Sequence, residues 1–211
     1  MHPWLRNAGK EFLQRVYFRD RFLWRLPAEH KAVALTFDDG PDPGFTPALL
    51  DLLAREGLKA TFFLVGSNVR RYPEIARRLA REGHGLGGHT FDHREIPSLS
   101  PQELDSEMAR CRAAIRDATA VDTLLFRPPR GKVDLRSMRA VCRLGYRLVH
   151  WTRTYSDYQC ADAELLIERM RRDPVRERDI VLLHDHNART VAAVARMIPE
   201  WRTQGVAFEP L

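Results

Sequence analysis

A chain of 211 residues with 44% hydrophobic side chains is long enough to bury one sizeable core, and its composition is that of a globular domain rather than a fibrous or disordered polymer. Net charge is +6, but basic and acidic residues are interspersed through most of the chain, so no basic stripe argues for a nucleic-acid partner. Three cysteines, Cys111, Cys142 and Cys160, without C-x-x-C or finger spacing, indicate neither a disulfide framework nor a structural zinc cluster. With no apolar run of about 18 residues and no signal-like start, the expected compartment is the cytoplasm.

Residues 1–30 concentrate the basic charge. Up to residue 25, Arg6, Lys10, Arg15, Arg19, Arg21 and Arg25 face only Glu11 and Asp20, and alternate with Trp4, Phe12, Val16, Tyr17, Phe22, Leu23 and Trp24. Such an amphipathic stretch suits packing against the domain, or peripheral contact with the inner face of a membrane. The expected organisation is an amino-terminal extension over 1–30 and a single domain over 31–211.

From residue 32 the chain alternates short apolar runs with helical patterns. "AVALTF" (32–37) reads as a buried strand, and the helix "TPALLDLLAREG" (46–57) follows. Next come the strand "ATFFLV" (60–65), the helix "YPEIARRLAREG" (72–83) and a weak third strand in "HGLGGH". "SPQELDSEMARCRAAI" (100–115) opens with the helix-start signature of Ser100, Pro101 and Glu103, and "TLLFR" (123–127) is a fourth strand. The helices "DLRSMRAVCRLG", "DAELLIERMRRD" and "TVAAVARMIPEWRTQG" then lead to the strands "YRLVHW", "DIVLLH" and "VAFEPL". Seven strands with helical crossovers predict an α/β domain with a parallel sheet.

The chemistry-bearing residues separate an open sheet from a barrel. Asp38 and Asp39 follow "ALTF", His89 follows "GLGG", Arg127 follows "LLF", Trp151 follows "RLVH", and His184 with Asp185 follows "IVLL". All stand at carboxyl ends of strands across the whole sheet, and only a barrel gathers every such end on one rim. The expectation is a distorted (β/α) barrel of about seven parallel strands. "HTFDH" adds His89 and His93 four residues apart, close enough to reach one ion, and two histidines with a carboxylate leave coordination positions open, as a catalytic metal requires.

The chain resembles the NodB-type polysaccharide deacetylases, carbohydrate esterase family 4, and is similar in length to small chitooligosaccharide deacetylases. The resemblance spans roughly 32–209 and rests on five motifs in the family's order: "TFDDGP" (36–41), "HTFDH" (89–93), "RPPRG" (127–131), the region "WTRTYSDY" (151–158) and "LLHD" (182–185). It implies a distorted (β/α) barrel and removal of N-acetyl groups from N-acetylhexosamine units of a carbohydrate or glycolipid. Asp39, His89 and His93 would hold a divalent metal, Zn²⁺ first, with Co²⁺ or Ni²⁺ as alternatives. Asp38 would be the general base and Arg127 its partner, and the Arg130 backbone N–H would stabilise the oxyanion. His184 would be the general acid, oriented by Asp157, with Leu182 and Trp151 as the acyl pocket. His84, His150 and His186 are assigned to structure or surface.

The chain departs from the family at two places. Arg130 stands where the third motif usually carries an aromatic, which suggests an anionic substrate by bidentate pairing unless a local acid takes it. Thr154 to Tyr158 replace the family's Asp-x-x-Asp-Trp. The same residues would serve an O-acetyl esterase, or a deformylase acting on a lipid-linked or anionic sugar. A non-catalytic glycan-binding module would not need base, acid and ligands together.

Overall fold

The computed structural model describes residues 21–211. Of the amino-terminal extension, Trp4, Phe12, Val16, Tyr17 and the basic residues up to Arg19 lie outside the described residues. Phe22, Leu23, Trp24 and Leu26 are buried, and Phe22–Leu23 is the first strand, β1. The sheet therefore begins ahead of residue 31.

In chain order the strands are β1, β2 (Ala32–Asp38), β3 (Thr61–Leu64), β4 (Gly85–Gly88), β5 (Leu125–Phe126), β6 (Arg147–Val149), β7 (Arg153–Thr154), β8 (Ile180–His184) and β9 (Ala207–Phe208). The longer helices are α1 (Thr46–Arg55), α2 (Gly66–Arg71), α3 (Pro73–Arg81), α4 (Pro101–Thr119), α5 (Leu135–Arg143), α6 (Ala163–Arg172) and α7 (Ala188–Thr203). Eight strands run β1-β6-β5-β4-β3-β2-β8-β7 with every pairing parallel, and β9 adds to β2. The expected distorted barrel is thus a curled half-barrel whose path ends on β1 and β7. Among the described residues no helix is long and apolar enough to cross a membrane.

Strand β2 shows how the layers arise. Successive side chains of a strand point to opposite faces. Val33, Leu35 and Phe37 join the large outer core against the helices, with Leu49, Leu53 and Trp201 among their neighbours in that cluster. Ala34, Thr36 and Asp38 face inward, where Ala34 meets Phe63, Val149 and Ile180 in a small inner core. All seven residues are buried, as a central parallel strand covered on both faces requires. Helix α4 begins as the sequence indicates: Ser100 Oγ accepts from Glu103 N, and the Glu103 carboxylate accepts from Ser100 N at 2.8 Å.

Candidate active site

Parallel register fixes the first contacts. Asp38 on β2 is paired with His184 on β8 and with Phe63 on β3, so the acid and the histidine are cross-strand neighbours. Asp38 is 3% exposed and Arg127 is fully buried. Arg127 Nη1 donates to Asp38 Oδ1 at 2.7 Å and to Thr36 Oγ1 at 2.7 Å, while Nη2 donates to His150 O at 3.1 Å. The guanidinium also lies 4.1 Å from the Phe63 ring centroid. Breaking such a buried ion pair typically costs about 3–5 kcal/mol, so Asp38 is held firmly. Thr36 had no role in the sequence reading, yet it lies two residues before Asp38 on the same inward face.

Strict alternation would send Asp39 to the opposite face from Asp38. The structure differs: Asp39 has φ 78°, a left-handed conformation at the strand's end that swings its carboxylate back over the rim. Asp39 Oδ1 consequently stands 3.4 Å from His89 Nε2 and 3.1 Å from His93 Nε2, and His89 Nε2 is 3.8 Å from Asp38 Oδ2. Burial alone would push the Asp39 carboxyl up, but the two imidazoles outweigh it and hold the group below the usual carboxylate range.

These three residues fit a cation. Their ligand atoms lie within 4.8 Å of one another. His89 Nδ1 is 2.7 Å from Arg127 O, and a carbonyl only accepts, so in the neutral ring that a cation requires this nitrogen carries the proton and Nε2 offers a lone pair. A lone pair facing a buried carboxylate oxygen that has no other donor is an arrangement a cation completes.

On the opposite wall, His184 Nδ1 donates to Asp157 Oδ1 at 2.8 Å, and Asp157 Oδ2 accepts from His184 N at 2.8 Å and Thr190 Oγ1 at 2.7 Å. Burial would lower the His184 pKa, but Asp157 outweighs it and lifts the imidazole to about 9. For Asp157, burial pushes the carboxyl up, but the bonds and charge of His184 together with the bond from Thr190 outweigh it, leaving it below its ordinary value. Asp157 is thus at the histidine despite Thr154 standing at the start of the motif. Asp185, last residue of "LLHD", turns away: it accepts Thr46 Oγ1 at 2.6 Å, and full burial pushes its carboxyl up to about 7.

A cavity of about 520 Å³ is lined by Asp38, Asp39, His89, His93 and His184, and its lining also includes Trp151 and Leu182. His186, assigned to structure or surface, also reaches this rim, with Nδ1 3.6 Å from Asp39 Oδ2. Arg130 has φ 56° within "RPPRG"; the turn's own hydrogen bonds run from Gly131 N and Lys132 N. Gly131 is required there, because a Cβ would come within 2.4 Å of the Trp151 ring. The Arg130 guanidinium, read from sequence as anion-seeking, pairs with Glu95 at 2.8 Å, and Glu95 also takes Lys132.

Residues 25–149 match the polysaccharide deacetylase family, starting ahead of the expected residue 32. A peptidoglycan-N-acetylglucosamine deacetylase of Bacillus cereus is 34% identical over 190 residues, 88% of each chain. A chitooligosaccharide deacetylase of Azorhizobium caulinodans is 29% identical over 89% of this chain and 96% of that one. A crystal structure of the Bc1960 peptidoglycan N-acetylglucosamine deacetylase superposes with TM-score 0.87 at 27% identity, covering 95% of this chain and 94% of that one.

Proposed function

The chain belongs to the polysaccharide deacetylase family, and from that premise we propose that it is a hydrolase removing the acetyl group from N-acetylhexosamine units of a carbohydrate, with a divalent cation as cofactor. The observation that carries this reading is that a base, a cation-holding set and an acid line one cavity, each tied to a different partner.

Asp39, His89 and His93 would hold the cation. Bound there, it would supply Lewis-acid chemistry to the acetyl carbonyl and would bring the pKa of a water from about 15.7 toward about 7. Asp38 does the base work: Arg127 occupies Oδ1 and leaves Oδ2 on the side of His89, where it takes a proton from the attacking water. As the water oxygen bonds to the acyl carbon, the carbonyl becomes an oxyanion, and the Arg130 N–H is the donor assigned to it. His184 keeps Nδ1 on Asp157 and so presents Nε2–H to the cleft, where it protonates the departing nitrogen as the C–N bond breaks. Trp151 and Leu182 form the apolar wall for the acetyl methyl group.

The test is metal content together with acetate release from N-acetylglucosamine oligomers and peptidoglycan fragments. About one zinc, cobalt or nickel per chain and metal-stimulated release are expected. Asp38→Asn should retain the metal and lower kcat by about 10²- to 10⁴-fold, the usual range for a general base. An active Asp38→Asn variant would show that the two acids do not divide the work in this way.

A further inference from the structure

His89 and His93 stand at the two ends of "HTFDH", and the loop between them takes an unusual path. Thr90 has φ 60° and His93 has φ 56°, both left-handed, and neither residue is glycine. Such a path persists only where the surroundings hold it. The loop's carbonyls are taken by the start of α2: Gly66 N donates to Thr90 O at 3.0 Å and Ser67 N to Phe91 O at 2.8 Å. Its N–H groups converge elsewhere. Phe91 N and Asp92 N both donate to Glu107 Oε2, each at 2.9 Å. Two successive amides aimed at one point form a concave site for an anionic oxygen, and here a side chain fills it.

Glu107 lies inside the 19-residue helix α4, on its buried stripe with Leu104, Met108 and Cys111, and is 3% exposed. One turn on, Arg110 covers the loop from outside. Its guanidinium carbon is 3.7 Å from the Phe91 ring centroid, and Nη1 is 3.4 Å from Asp92 Oδ2 and 3.6 Å from Glu107 Oε1. The three segments meet closely: a Cβ on Gly66 would come within 2.6 Å of the Phe91 ring and 2.9 Å of Cys111 Cα.

We propose that Glu107 is the positioning residue of the His89/His93 pair: one buried carboxylate oxygen fixes the loop between the two imidazoles and so sets their separation and direction toward the cation. This rests on Asp39, His89 and His93 being the cation's ligands. Glu107 touches neither cation nor substrate, so its effect is on the geometry and affinity of the site. Outer partners that orient ligands in this way typically change metal affinity by about 10- to 100-fold when removed.

The experiment measures zinc affinity of the full chain by competition with a chromophoric chelator, and the visible absorption of the cobalt-loaded form. Thermal unfolding of each metal-free variant reports whether it folds. Glu107→Leu removes the acceptor and should weaken zinc binding by about 10- to 100-fold and change the cobalt spectrum. Glu107→Gln keeps a carbonyl oxygen for both amides and should restore affinity to within about threefold of the unmodified chain, the rescue expected of a conservative replacement. Glu107→Asp withdraws the acceptor by one methylene and should fall between them, and it decides the matter if the leucine variant does not fold. A folded leucine or aspartate variant with unaltered zinc affinity and cobalt spectrum overturns the proposal, and so does a glutamine variant as weak as the leucine one. An unmodified chain that binds no zinc, cobalt or nickel overturns the metal centre itself, a failure distinguishable from the first.

Discussion

The cavity holds two carboxylate–imidazole partnerships that look alike on paper and are wired oppositely. At Asp39 the scaffold takes the far nitrogen of His89 with a backbone carbonyl, so the near nitrogen turns its lone pair toward the same point as a carboxylate oxygen. At Asp157 the near nitrogen of His184 carries the proton and the far one is left for the cleft. Which imidazole nitrogen the surroundings claim thus decides whether the pair suits a cation or a proton. The same two side-chain types suit two chemistries because a peptide carbonyl takes a ring nitrogen of one histidine, whereas at the other the acid itself takes it.

Three substitutions put that contrast under load. The largest effect is expected for His89→Ala, which should leave no stoichiometric metal in elemental analysis and no detectable acetate release. His184→Gln should keep the metal and lose about 10²- to 10⁴-fold in kcat; loss of metal in this variant would erase the distinction between the two walls. The mildest and sharpest is Asp157→Asn. His184 acts as an acid only while protonated, and its pKa is raised to about 9, so kcat/KM should hold below that value and fall as pH rises through it. A bound cation draws this limb lower, and removing the carboxylate lowers it further, toward the ordinary imidazole value of about 6.5. A pH profile of Asp157→Asn superimposing on that of the unmodified enzyme would break the assignment of the acid.

Sequence revealed the parts that local pattern determines. The apolar run of β2, the capping signature at Ser100 and the placement of site residues at strand ends are all properties of neighbouring residues. Two strands escaped because their cause is distant: β1 and β7 are two-residue strands, defined by pairing Phe22 with Leu148 and Arg153 with Val181. The direction of Asp39 escaped for a different reason. Alternation argues from ideal strand dihedrals, and the positive φ at that residue departs from them where the strand ends. At Arg130 the alternative of a local acid holds, and Glu95 comes to it from a separate loop that local pattern does not reveal. Glu107 was legible in principle, as an acid on the buried stripe of an amphipathic helix, between Leu104 and Cys111.

Arg127 belongs to both walls. Its side chain anchors Asp38, and its own carbonyl claims the far nitrogen of His89. The span between the two anchoring points is therefore measured along the bonds of a single residue, followed by two prolines that limit the rotation of the chain beyond it. Warming loosens contacts between separate segments, but it scarcely alters bond lengths. Asp38 and His89 share one covalent ruler, so thermal drift of the surrounding helices moves them together.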